Sequence, residues 1–575
     1  MQSLGIPLAL IVVAVSRSSC WAREMLPATR ESCRNVPGSL GYPAIAAWNE
    51  FNGTISGRLV AVVPSAKFCR TLPGGACTDA QWSSGLFRSA IPGAMDQVNF
   101  EQGYDLTPPS LCLRNAKICG QGDVPIYSVE AETVADIQAA VKFATKHDLR
   151  VAVKSSGHDT LGRSTAPGSL LIRTTSFRTL TFTDSFYIGA KDIGSAVTMG
   201  SGVHSQTLYQ QAKINRRAVL GPGAAATVCV AGGFVQGAGH SPLSPKLGLA
   251  ADNAFEFDIV VASGELLKVN SISHSDLFYA LRGGGSGSWG VIVSATFRTF
   301  PTFNATFASI ALAASNDTAA NALATIHAQH IFDMDSVRAS HSFILSKNAA
   351  TGGSTVALVI YLPDTTTAKS MALVGPFMHA ALAVPGISLL SQNYSYVDIN
   401  DPLFQSDDNT GGNGVLGSRL IPAQTYHNSP AKVGQVYEQL LNSGTTNIIE
   451  VVVAGGKVAE NANISSAVHP AWRTAKAHLI LANGWLDSAS LAEIDVLRKK
   501  FKTQQLPILE LISGPNAGSY SNEADVLEAE FPTTFFGQNY AKLSAIKAKY
   551  DPADLFIVGA GVGSERWDEW GICQV

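Results

Sequence analysis

The sequence lacks a surplus of charge of either sign. Lys and Arg number 41 against 44 Asp and Glu, a formal charge of −3, and charged residues make up only 15% of the 575-residue chain. No basic excess exists to hold nucleic acid, which excludes that class of partner. Long apolar runs are scarce as well. IPLALIVVAV, Ile6 to Val15, is too short to cross a bilayer, so a membrane protein is not expected. Followed by SRSSCWA, with Cys20 and Ala22 as small residues before a cut after Ala22, it reads as a signal peptide over 1–22, although no basic residue precedes it.

Several catalytic signatures are missing too. There is no Walker A loop and no G-x-S-x-G elbow. Gly221 to Ala226 and Gly285 to Gly290 both fit G-x-G-x-x-G/A, but TVCVAGG follows the first and the second lies between a helix and a strand. The dinucleotide fingerprint needs strand, turn, helix, because the helix N-terminus meets the pyrophosphate. His327 and His330 lie three apart without a nearby third ligand, so no metal site is expected. Repeats, low-complexity tracts and coiled coils do not stand out.

What is present points to an extracytoplasmic globular protein. Hydrophobic residues make up 46% of the chain, ample for packed cores, and the length suits about two domains. Of the eight cysteines, Cys20 leaves with the signal peptide. Cys33, Cys69, Cys77, Cys112 and Cys119 crowd the N-terminal region, and Cys573 is placed to tie down the C-terminus. The spacing alone does not assign pairs. Cys229, in an apolar glycine-rich setting, reads as a free buried thiol. Sequons at Asn52, Asn304, Asn316, Asn393 and Asn463 agree with a glycosylated, secreted or secretory-pathway protein.

The organisation follows from texture. Residues 23–123 read as an irregular, disulfide-stapled lead-in. IYSVE, 126–130, reads as a strand, Thr133 caps a helix with an apolar face of Val134, Ile137, Val141 and Ala144, and Leu149 to Val153 is the next strand. Further strands are expected near 169–173, 257–262 and 291–299, with a short helix at 274–282. After Pro301 two Ala-rich helical stretches and strands such as STVALVIYLP and NIIEVVVAGG form a second α+β unit, 305–504. From 505 motif density returns, which suggests that 505–575 rejoins the first unit, 124–304.

Four glycine-rich loops close strands within this first unit: SSGHDTLG, GPGAAATVCVAGG, GFVQGAGHSPLS and LRGGGSGSWG. Together they suggest backbone packed around an extended, phosphate-bearing ligand. KSSGHDTLGRS, GGFVQGAGHSPLSPKLGLAADN, DLFYALRGGGSGSWGVI and NYAKLSAIKAKYDPADLF, in that order, resemble the FAD-linked oxidases of the vanillyl-alcohol-oxidase/p-cresol-methylhydroxylase superfamily. The resemblance is to the fungal berberine-bridge-enzyme-like branch and runs from about Val124 to the C-terminus, weakest between 305 and 500. It implies an α+β fold with a two-part FAD-binding domain of the PCMH type and an inserted substrate domain.

The same resemblance implies roles. The loop of Lys154, Ser155, Ser156, Gly157, His158, Asp159, Thr160, Gly162 and Ser164 would hold the FAD pyrophosphate, with His158 bonded covalently to the 8α-methyl. Many branch members add a cysteinyl bond two residues before Thr-Val-Gly. Here that position is Ala225 and Cys229 replaces the glycine, so a single attachment is expected. Thr227, Val228, Gly232, Gly233, Gly237, Gly239 and Ser241 would line the flavin, Leu249 to Asn253 the adenosine, Val291 and Ile292 the adenine, and Asn539 and Tyr540 the ring. Tyr520 and His240 are the catalytic candidates, and Arg419 a weaker substrate contact. The expected activity is oxidation of a small alcohol, carbohydrate or secondary metabolite by a monomer, with O₂ as acceptor. Redox-neutral cyclisation or dehydration, or a non-catalytic flavoprotein, on the same fold is the competing reading.

Overall fold

A computed structural model of the chain describes residues 33–575 apart from 224, 349 and 516. The expected signal peptide, 1–22, lies outside the described residues.

The first layer is built as the periodicity predicts. Thr133 accepts from Asp136 N–H while the Asp136 carboxylate accepts from Thr133 N–H, a capping box that starts the helix Val134–Lys146. Ile137, Val141 and Ala144 on its inner face are fully buried. That helix links two strands of a parallel unit: Tyr127–Glu130 and Val151–Lys154 lie on either side of Leu170–Arg173. Leu170–Arg173 is buried throughout, as the middle strand of a parallel sheet must be.

The lead-in is more than a stapled loop. Its helix Ile45–Thr54 packs Phe51 against Phe143 at 4.2 Å between ring centroids, and its strand Leu59–Ala61 adds an antiparallel edge beside Tyr127–Glu130. A strand of three residues is too short to show alternation, which is why the sequence reads as irregular there. The cysteines pair as Cys33–Cys573, Cys69–Cys77 and Cys112–Cys119, and Cys229 is free and buried. Cys33–Cys573 joins positions 540 apart in sequence, so it restricts the unfolded chain more than the two local bridges do. Cys33→Ser or Cys573→Ser is expected to lower the unfolding free energy by about 2–5 kcal/mol, read by urea titration.

Beside this layer stands a five-stranded antiparallel sheet, in the order Leu266–Asn270, Ala254–Val260, Val291–Arg298, Ala196–Gly200 and Leu180–Thr183. A seven-stranded antiparallel sheet follows, in the order Ile387–Asp398, Asn304–Ala314, Ser354–Pro363, Ser340–Lys347, Asn447–Val452, Ala475–Trp485 and Asn413–Pro422. The helices Asp317–His330, Thr367–Leu382, Pro430–Asn442 and Leu506–Ser513 share its core, around Leu323, Phe343, Tyr437 and Leu509. The helical run from Leu491 continues through residue 505 to Ser513, and the chain leaves this layer only afterwards. It then ties back to the first unit. Asn522 Nδ2 donates to Gly233 O at 3.2 Å, and Lys547 Nζ donates to Ser288 O at 2.8 Å. Among the described residues no helix is long and apolar enough to cross a membrane.

Candidate functional site

The strand Val151–Lys154 delivers its loop into a cavity of about 310 Å³. Lys154 itself stays out: its Nζ donates to Pro92 O at 2.5 Å and Ala94 O at 2.7 Å, which pins the strand end to the 91–94 segment. Gly157 follows at φ +92°, and a Cβ there would lie 3.0 Å from Ala94 O, so both conformation and space call for glycine. Ser155, Ser156, Gly157, His158, Asp159, Thr160 and Ser164 then line the cavity, together with Val228, Gly232, Gly233, Ile292, His240 and Tyr520.

Other sequence candidates sit elsewhere. Gly162 lines a neighbouring cavity, Gly237 packs on Asn522, and Gly239 lies against Ala250 and Phe234. Ser241 bonds within its own turn to Ser244. Leu249 is in an apolar cluster with Trp472 and Tyr520, Asn253 donates to Leu247 O and Leu249 O, and Val291 belongs to the core of the parallel layer. Asn539 bonds Tyr279, Ala467 and Val468, and Tyr540 bonds Glu565 and Gly563, so neither lines the cavity. Arg419 is held by Glu510 and Glu528. His327 pairs with His341 and Glu450 in a buried core, and His330 with Asp333.

His158 meets partners that the sequence does not announce. Its Nδ1 is 2.9 Å from Asp96 Oδ2, 3.6 Å from Asp408 Oδ2 and 3.3 Å from Thr227 Oγ1. Asp408 also accepts from Ala226 N–H at 2.5 Å and Thr227 N–H at 2.8 Å, and from the Thr227 hydroxyl. Burial works against a charged imidazole, but Asp408 and Asp96 outweigh it and hold the His158 pKa up at about 10. Burial would raise Asp408, yet His158, Thr227 and Ala226 bring it down to about 2. Cys229 also lines the cavity, where burial pushes its thiol up to about 12.

A second constellation stands on the same cavity. Glu523 Oε2 lies 3.0 Å from His240 Nε2 and 3.3 Å from His478 Nδ1. Burial pushes the Glu523 carboxyl up, but the two histidines outweigh it and keep it well below the usual carboxylate range. Tyr520 is buried beside them, 4.9 Å from the His240 ring, and its oxygen accepts from Asn522 Nδ2 at 3.1 Å. Burial raises its phenol well above the ordinary value, so it stays protonated at neutral pH. Glu523 stands inside SYSNEAD, three residues from Tyr520; His478, on Ala475–Trp485, has no local signal at all.

The cavity walls fit an FAD. A Cβ at Gly232 would come within 2.7 Å of Ser155 Oγ, so glycine keeps the two glycine-rich loops in contact. Ser201 Oγ and Gln236 Oε1, both on residues of the wall, are buried without a hydrogen-bond partner among the described residues. Hydroxyl, amide and glycine backbone groups of this kind suit a pyrophosphate and a flavin's polar edge.

Known proteins agree. Residues 125–270 match the family described as FAD binding domain, and 519–563 that described as berberine and berberine like. An uncharacterized FAD-linked oxidoreductase of Arthroderma benhamiae is 35% identical, over 94% of this chain and 96% of its own. The FAD-linked oxidoreductase patO of Aspergillus clavatus is 30% identical, over 98% of each. A solved VAO-type flavoprotein from Myceliophthora thermophila superposes with a TM-score of 0.83 at 28% identity, covering 95% of this chain and 100% of that one.

Proposed function

The chain belongs to the berberine-bridge-enzyme-like FAD-linked oxidoreductases, and from that premise we propose an oxidase that carries FAD on His158. It takes a hydride from a small alcohol, carbohydrate or secondary metabolite and passes the electrons to O₂. The observation that supports this reading is the position of His158: in the cavity, on a glycine-bordered loop, with Asp96 and Asp408 behind its ring. Residues 124–304 and the segment after Ser513 form the FAD-binding parts in this reading, and 305–513 the substrate domain. Three disulfides suit a secretory route, and relatives in Aspergillus and Arthroderma suit a role in fungal secondary metabolism.

Bound FAD supplies the hydride acceptor; the side chains handle the proton. Glu523 accepts from His240 Nε2–H, which leaves Nδ1 as the basic nitrogen to take the substrate hydroxyl proton. Tyr520 keeps its own proton and offers it as a hydrogen bond to the substrate oxygen. Glu523→Gln retains an acceptor and removes the charge that stabilises the histidinium. The rate of flavin reduction in stopped flow should fall about 10²–10⁴-fold, with flavin content unchanged.

The test of the function is a panel of primary alcohols, aromatic alcohols and oligosaccharides mixed with the protein without oxygen. A substrate should bleach the flavin, and admitting air should restore the colour with one H₂O₂ per flavin. Turnover with the flavin spectrum unchanged would overturn the oxidase reading in favour of redox-neutral catalysis.

A further inference from the structure

His478 is fully buried and makes no hydrogen bond through its ring. It sits on the strand Ala475–Trp485, paired on both sides, opposite Leu420 and Val451. Neither ring nitrogen has a hydrogen-bond partner among the described residues. Yet Nδ1 stands 3.3 Å from Glu523 Oε2, and the same oxygen lies 3.0 Å from His240 Nε2. The three atoms all fall within 4.8 Å of one another. A buried polar atom left without a partner is rare and costly, so a nitrogen held this close to a carboxylate without bonding to it calls for another partner.

We infer that His240 Nε2, His478 Nδ1 and Glu523 Oε2 form a binding site for a divalent transition-metal ion, with zinc as the best fit. Two imidazoles and one carboxylate are a ligand set that zinc takes, with a fourth position left open. At metal–ligand bonds of about 2.0–2.1 Å, two ligand atoms of a tetrahedron lie about 3.3 Å apart, and the separations here are 3.0 and 3.3 Å. Two ligands of one ion aim their lone pairs at the ion and not at each other. That explains how Nδ1 approaches Glu523 without bonding to it. Glu523 supplies the negative charge, and the two histidines are its only ion-pair partners among the described residues.

The open position faces the cavity. Glu523 and His240 line it, their side chains 31% and 14% open, while His478 closes the back. The site is preorganised: the strand fixes His478, and Glu523 N–H donates to Tyr520 O at 2.9 Å. Its ligands come from three distant segments, which is why the spacing of His327 and His330 does not reveal it. Without the ion, His240 Nε2 keeps its proton against Glu523, as the proton relay above requires. With the ion, that proton leaves to solvent and the Nε2 lone pair turns to the metal. Zinc therefore competes with the relay and inhibits it. The binding stands apart from the oxidase reading; the inhibition rests on it.

The experiment starts from holoenzyme stripped with EDTA and dialysed against ZnCl₂, its metal content counted and its ligands read by zinc K-edge absorption. One zinc per chain is expected, with two imidazoles and oxygen at about 2.0–2.1 Å and no sulfur. His478→Ala and Glu523→Gln should lose it. Asp96→Asn, which alters the cavity's other carboxylate–histidine cluster, should keep it. A wild-type protein that binds no zinc, or binds it without imidazole, overturns the site whether or not the variants fold. Zinc retained by both His478→Ala and Glu523→Gln, or lost from Asp96→Asn, overturns it too. Bound zinc should also slow anaerobic flavin reduction about 10²-fold or more, with recovery on adding EDTA. Zinc bound at these ligands with reduction unchanged would uphold the site and overturn His240 as the base.

Discussion

Acid precipitation of His158→Ala is expected to leave a colourless pellet and a yellow, fluorescent supernatant, whereas the wild-type pellet should keep its flavin. The effect is all or none because no second nucleophile stands in for the imidazole. Ala225 occupies the position where many branch members carry a cysteine, and it lines the cavity without a side chain to bond. Cys229 lines the cavity too, but its thiol is 4% exposed and pushed up to about 12. The thiol therefore stays protonated at neutral pH, and the thiolate is the attacking form. Its S–H is directed to Thr227 O at 3.7 Å. Cys229→Ala is therefore expected to retain the full covalent flavin. Colour in the His158→Ala pellet would mean that another residue bonds the ring, and the double variant with Cys229→Ala would show whether Cys229 is that residue.

The histidine and its loop are legible in the sequence because their chemistry is local. Lysine, serines, glycine and histidine follow one another directly, the strand before them is a short apolar run, and the helix before that strand carries a period-3.6 pattern with the capping box of Thr133 and Asp136 written in full. The partners of that histidine are not legible. Asp96 and Asp408 come from loops far apart in the chain, and backbone contacts such as the pairing of 96–98 with 411–412 bring them to one ring. Glu523 was open to recognition, since it shares a short motif with Tyr520; His478 was not, since it is one residue in a long buried strand. Asn539 and Tyr540 mark the opposite error. Their motif is genuine and lies in the berberine-like segment, but here it builds the packing between that segment and 467–468, not the cavity wall.

The lead-in should matter to the site as much as the flavin loop does, and Glu101 is where that can be measured. It is fully buried, and its carboxylate accepts from Arg88 Nη2 at 2.5 Å, Ser65 N–H at 2.8 Å and Met95 N–H at 2.9 Å. Arg88, 1% exposed, returns a bond from Nε to Met95 O at 2.8 Å. The ion pair therefore clamps both backbone groups of the residue preceding Asp96. Glu101→Gln keeps the shape but turns an NH₂ toward donors and leaves the guanidinium buried without an anion. Breaking a buried pair in this way costs about 3–5 kcal/mol. Arg88→Met should cost a similar amount, because it orphans the same pair from the other side. The exposed pair Lys213–Asp401, 51% and 41% open on its side chains, gives the contrast: Asp401→Asn is expected to cost under about 1 kcal/mol. Urea unfolding measures the three variants, and the acid pellet measures their tethered flavin. If Glu101→Gln loses both stability and covalent flavin while Asp401→Asn loses neither, the lead-in positions Asp96 for His158. Full flavin attachment in a destabilised Glu101→Gln protein would instead confine the clamp to folding.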